Sequence, residues 1–295
     1  RAQGLWRDAA TPDPKYSDTF DLDLATVEPS MAGPGQPHNR VGLSEAPQAF
    51  ATARRAASVG AHGGVSIAPV KDGDIVIAAV TSCTNTSNPA GMIGAGLLAR
   101  NAVARGLKSK PWVKTSLSPG SRVVADYLEK AGLQQSLDAL GFHVSGFGCM
   151  TCVGFSGPLA EPIASAVNNG GLATAAVISG NRNYDGRIHP LVSASFLASP
   201  PLVVAYALAG TILEDLTREP IGKDERGRPV YLSEIWPDAA EIERVIDAVI
   251  DTPLFSRSYA TLYEGSARWQ SLACATGPQF AWNAGSAFIR RPPDF

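Results

Sequence analysis

The chain has 295 residues, 45% of them hydrophobic and 18% charged, which excludes a disordered polymer and suits one large α/β domain or two ordinary ones. A net charge of -2 and a pI near 6.1 exclude bulk electrostatic attraction to nucleic acid or to an anionic membrane surface. The longest apolar run, PPLVVAYALAG from Pro200, falls short of the roughly 18 residues that span a bilayer.

The opening RAQGLWRDAA has neither the basic nor the apolar region of a signal peptide, and a first Met at position 31 reads as a piece of something longer. Four cysteines are too few for a disulfide scaffold, so a reducing, cytoplasmic setting is expected. Residues 1–64 are Pro/Gly-rich and weakly patterned. Within them EPSMAGPGQPHNR (Glu28 to Arg40) reads as irregular chain and SEAPQAFATARRAA as a short helix.

From Asp74 the pattern is regular. DIVIAAV (Asp74 to Val80) is a buried strand, followed by the polar loop TSCTNTSNP and the helical stretch AGMIGAGLLARNAVARGL. PWVKTSL is a second strand, leading through SPGS into a helix from Arg122 to about Leu140. FHVSGF is a third, opening into GCMTC and a helix near LAEPIASAVNNGG. TAAVIS (Thr174 to Ser179) is a fourth, opening into GNRNYDGRIHP. After Gly210 come an exposed hairpin at GKDERGRP, a charged amphipathic helix at DAAEIERVIDAVI, and an irregular aromatic, Pro-rich tail.

Four alternations of strand and helix, with strands apolar on both faces, predict a three-layer α/β/α domain built on a mostly parallel sheet. Chemistry in such sheets collects at the carboxyl ends of the strands. Cys83, the Ser116–Ser121 loop, Cys149 with Cys152, and Arg182 each follow a different predicted strand. Four loops are therefore expected to meet on one edge.

A lone cysteine is usually a small buried hydrophobe, and Cys274 in SLACATGPQF is read that way. Cys83 sits between Ser82 and Thr84, where packing gives a cysteine no purpose, and Cys149 and Cys152 are flanked by small residues. A thioredoxin-like pair leaves Cys83 and the arginines unexplained. A structural zinc site could take the three thiolates with His189 as fourth ligand. A four-iron cluster on three thiolates would keep one iron open as a Lewis acid. Spacing leaves zinc and cluster both open.

Arg182 and Arg187 could be solvated charges paired with Asp185. Alternatively, with Gly180 and Gly186 to turn the loop inward, they could be fixed cations for a carboxylate substrate. His38, His62 and His143 each stand alone without ligand spacing, and the DERGR charges read as a solvated loop.

TSCTNTSNP, GCMTCVGFSGPL and SGNRNYDGRIHP, in that order and at these separations, resemble the aconitase family. DLDLATVEPSMAGP, KPWVKTSLSPGS, FLASPPLVVAYALAGT and YLSEIWP are similar to it too, so the likeness runs over essentially the whole chain. The resemblance implies a [4Fe–4S] cluster on Cys83, Cys149 and Cys152, with substrate contacts at Asn181, Arg182 and Arg187. It also implies the dehydration and rehydration of citrate to isocitrate through cis-aconitate.

Family members are much longer, with other domains supplying the acid, the base and further arginines. The likeness therefore divides the chain into a lead-in (1–17), a cluster-binding domain (18–252) and a linker (253–295), with the missing domains as partners. Two rivals are weighed: a 2-methylcitrate dehydratase of the same family, and an RNA-binding regulator in the cluster-free form. The acidic balance and lack of a basic stripe disfavour RNA.

Overall fold

A computed structural model describes residues 1–57, 70–84, 88–273 and 277–292. Cys274 and His62 lie outside the described residues. The elements run β1 (Ser30–Ala32), β2 (Arg40–Gly42), α1 (Ala46–Ala57), β3 (Ile75–Val80), α2 (Pro89–Ala104), β4 (Lys114–Leu117), α3 (Arg122–Lys130), α4 (Gln134–Ala139), α5 (Glu161–Gly170) and β5 (Ala175–Ile178). They continue with β6 (Ala194–Leu197), α6 (Pro200–Ala209), β7 (Pro220–Lys223), β8 (Pro229–Tyr231), α7 (Leu232–Ile235), α8 (Ala239–Val249), α9 (Thr252–Ala260) and α10 (Ala267–Gln270).

The main sheet has the order β2-β1-β6-β5-β3-β4, parallel from β6 to β4 and antiparallel at the β1–β2 edge. This is the expected three-layer α/β fold. Every residue of β3 and β5 is buried, which explains apolar runs without alternation. Ile75, Ala78, Val80, Ala175 and Val177 face a core shared with α2 and α6, while Val76, Ile77, Ala79, Ala176 and Ile178 face one shared with α5. A register irregularity between Ile75 and Ile77 puts Val76 and Ile77 on the same side. Asn88 caps α2, accepting from the Ala90 amide at 2.9 Å, and Pro89 fits its first turn. Helix α6 is buried all round, as a core helix apolar on every side must be.

Five sequence expectations change. EPSMAGPGQPHNR is not irregular: it forms the β1–β2 hairpin, with Met31 opposite Val41. Gly33 lets the hairpin close against β6, since a Cβ there would stand 2.7 Å from the Ser195 carbonyl oxygen. FHVSGF is not a strand, and Val144 makes a single parallel bridge to Leu117. The run lies between two glycines of positive φ, Gly141 and Gly148, and its Val144 and Phe147 stay exposed, so there is little apolar surface to pair. The helix from Arg122 breaks at Gly132, whose φ of 69° ends one helix and starts another. β6 was not expected, because Ser193 before it and Ser195 within it hide a mostly buried four-residue strand.

The tail is not wholly irregular. α9 packs on α3 through buried Leu254 and a Ser258 Oγ to Asp126 Oδ2 hydrogen bond, and Lys130 pairs with Asp251 at 3.0 Å. The β7–β8 hairpin is as expected. No helix among the described residues is long and apolar enough to cross a membrane.

Candidate metal centre

Three neighbouring strands end together, and their ends are tied. The Ser118 amide donates to the Val80 carbonyl at 2.8 Å, linking the β4 and β3 ends. The Ser179 amide donates to the Ala79 carbonyl at 3.0 Å, and the Thr81 amide donates to Ser179 Oγ at 2.8 Å, linking β5 to β3. The loop carrying Cys149 is pulled onto the same edge, because the Gly148 amide donates to the Pro119 carbonyl at 2.8 Å.

On this platform Cys83 sits half-buried in a 3₁₀ turn (Ser82–Thr84) directly after β3. Cys149 is exposed, 3.7 Å from the Ser82 hydroxyl. Cys152 is buried in a second 3₁₀ turn (Thr151–Val153), and its thiol reaches Asn181 Oδ1 at 3.4 Å and the Arg182 carbonyl at 3.9 Å. All three are free thiols. Burial pushes the Cys83 thiol above its ordinary pKa, and the charges of Cys152 and Cys149 push it the same way. Ser82, next to Cys83, thus meets Cys149, and Cys152 meets the loop after β5, so the three cysteine loops share one edge.

Gly180 makes that approach possible: a Cβ there would lie 3.0 Å from Cys152 Sγ. Gly154, in left-handed conformation, ends the cysteine turn where a Cβ would meet the Arg187 carbonyl at 3.0 Å. Arg187 closes the arrangement, its Nε donating to the Cys152 carbonyl at 2.8 Å. The rest of its guanidinium stays available, and neither Arg187 nor Arg182 makes an ion pair among the described residues. The alternative reading, in which they pair with Asp185, finds no such pair there. Arg182 is exposed, with only its backbone carbonyl turned to the buried sulfur.

His189 is not drawn in as a ligand. Its Nδ1 accepts the Leu191 amide at 3.1 Å, and burial, then the Lys114 charge, lower its pKa and keep the ring neutral. His143 pairs with Asp138 at 3.1 Å and His38 is exposed. Among the described residues no group of three or more His, Cys, Asp or Glu side chains is placed to hold a metal ion. Thiolates sharing one zinc crowd to within about 4 Å of each other, since each Zn–S bond is about 2.3 Å. Thiolates on a cluster bind different irons and stand farther apart. Three free thiols in a glycine-rich cradle, beside Asn181 and Arg187, are the sulfur donors that this edge of the sheet offers.

Sequence reasoning missed the hydroxyls that brace the loops. Ser116 meets Thr151 at 3.5 Å, and Ser118 meets Ser145 at 3.2 Å. It also missed Asn183, fully buried, whose Nδ2 donates to the Ser195 carbonyl at 2.8 Å and fixes the arginine loop to β6. The spacing of two asparagines in GNRN was the only signal for it.

Comparison with known proteins follows the same outline. A family model described as the aconitase family (aconitate hydratase) matches residues 1–210. A Thermus thermophilus protein named aconitate hydratase A is 50% identical over 315 residues, covering all of this chain and 34% of the relative. Proteins of the same name from Deinococcus radiodurans and Escherichia coli are each 48% identical, over 309 and 306 residues, again across all of this chain and 34% of theirs. The chain spans about a third of the length of the curated relatives it matches.

Proposed function

The chain belongs to the aconitase family, and from that premise we propose that it is the cluster-bearing part of an aconitate hydratase. The observation that carries this is the meeting of Cys83, Cys149 and Cys152 with Asn181 and Arg187 on one sheet edge. Those three cysteines would hold a [4Fe–4S] cluster. When bound, it would supply a Lewis-acidic iron for a substrate oxygen.

The chain's own residues do the rest. Asn181 lies against the Cys152 sulfur and orients that edge of the site. Arg182 and the free part of Arg187, which Nε anchors at the Cys152 carbonyl, present positive charge, which citrate, cis-aconitate and isocitrate need for their carboxylates. Hydration of this kind requires an acid and a base on opposite sides of the substrate. We assign both to the part of the relatives that these 295 residues do not cover.

Residues 18–252 then form the cluster-bearing unit, with 1–17 as lead-in and 253–295 as linker; the α9 helix of that linker docks back on α3. The shared name of the relatives favours aconitate over 2-methylcitrate chemistry.

A chimera tests the reading: these 295 residues replace the matching third of the Thermus thermophilus relative, and cis-aconitate absorbance is followed. The chimera is expected to turn over and the isolated chain is not. A chimera that carries its cluster yet leaves cis-aconitate untouched overturns the assignment.

A further inference from the structure

The loop that carries Cys149 and Cys152 lies against β4, the edge strand of the main sheet. Side chains on a strand alternate between its faces. Thr115 turns to one side, its Oγ1 donating to the Gly141 carbonyl at 2.7 Å. Lys114 and Ser116 turn to the other, and both meet the cysteine loop. Ser116 meets Thr151, beside Cys152. Lys114 Nζ donates further along, to the Ser156 carbonyl and to the Pro158 carbonyl, the latter at 2.7 Å.

Gly157, between those two carbonyls, has a φ of 67°, a turn that glycine makes readily, and it brings both oxygens to one ammonium. Lys114 is half-buried, and burial lowers its pKa. It makes no ion pair among the described residues, so carbonyl oxygens, and not a carboxylate, hold this cation. Fixing a long side chain and stripping water from its charge both cost free energy, which the two charge-assisted hydrogen bonds offset. The loop is therefore tied twice by cations, by Arg187 at the Cys152 carbonyl and by Lys114 beyond it.

We propose that Lys114 is a positioning residue for the cysteine loop. By drawing in the Ser156 and Pro158 carbonyls, it keeps Cys152 buried and its sulfur against Asn181. The use made of that sulfur rests on the function proposed above, whereas the closing of the loop concerns this chain alone. Without the ammonium both carbonyls lose a donor, and a short segment opens according to the few bonds that tie it. The Ser116 contact with Thr151, at 3.5 Å, is too long to hold the loop in its place.

Iodoacetamide labelling of the cluster-free 295-residue chain, read cysteine by cysteine by mass spectrometry, tests this. Cys152 is 1% exposed and should label slowly, while exposed Cys149 serves as the internal standard. Lys114→Met keeps the length and the apolar stem and removes the donors. It should speed labelling of Cys152 about tenfold or more, with the Cys149 rate and the circular dichroism unchanged. Lys114→Arg, which restores donors, should bring the Cys152 rate back close to that of the unaltered chain. Lys114→Gln, with a shorter arm, should fall between the two, and it carries the test if Lys114→Met does not fold. After anaerobic reconstitution, Lys114→Met should also lose its iron–sulfur absorbance faster in air. The labelling needs no cluster, so a chain that takes up no iron defeats the proposed function, and the labelling still judges Lys114. An unchanged Cys152 rate in Lys114→Met and Lys114→Gln overturns the proposal. So does a Lys114→Arg chain that labels as fast as Lys114→Met.

Discussion

Cys152→Ala is expected to leave a folded protein that retains no cluster. Cys152 is buried, and removing one sulfur costs only the packing of a small group, about 1–2 kcal/mol. Cluster retention is affected far more. Three thiolates are already one fewer than ordinary iron–sulfur sites use, and two leave a second iron unheld. Anaerobic reconstitution with iron and sulfide should give a brown wild-type protein and a colourless variant of nearly unchanged Tm. Gly180→Ala is the companion variant. Its Cβ, 3.0 Å from Cys152 Sγ, displaces the ligand without deleting it, so the yield of cluster should fall and not vanish. Full iron retention by Cys152→Ala would remove Cys152 from the ligand set.

Arg182→Lys and Arg187→Lys, made in the Thermus chimera, are expected to lower kcat/KM by roughly ten- to a hundredfold. Lysine keeps the charge and loses the fork, and a charge-assisted hydrogen bond contributes about 1.5–3 kcal/mol. The two variants should then part company. Arg182 makes no ion pair and its side chain braces nothing described, so its Lys variant keeps the cluster spectrum. Arg187 tethers the Cys152 carbonyl through Nε, which lysine lacks, so its variant should also lose cluster faster in air. Near-normal kcat/KM in both would show that neither holds a carboxylate.

The placing of Cys83 and of the arginine loop on one edge was legible because each follows a strand of the parallel sheet, whereas the Cys149 loop follows no strand and reaches that edge through the tether from Gly148 to Pro119. β3 and β5 were legible for the same reason that they are buried on both faces: nothing polar interrupts them. β6 was not, since Ser193 and Ser195 interrupt a run whose burial comes from β5 and β1 on either side. The β1–β2 hairpin was hidden by its Gly and Pro content, which marks a turn but not the strands it joins. The tether from Arg187 to Cys152 crosses 35 residues and depends wholly on tertiary placement. So do the Ser179 link between strand ends and the contact of Ser82 with Cys149. The place of His189 also waited on geometry. Sequence offered His189 as a fourth ligand, and only the fold shows its Nδ1 turned to the Leu191 amide.

The most direct measurement is Mössbauer spectroscopy of the chain reconstituted anaerobically with ⁵⁷Fe and sulfide, recorded with and without citrate. About four irons and four sulfides per chain are predicted, with one iron distinct from the rest and shifted by citrate. A colourless protein holding one tight zinc, or a cluster whose irons are all equivalent and indifferent to citrate, would contradict the account.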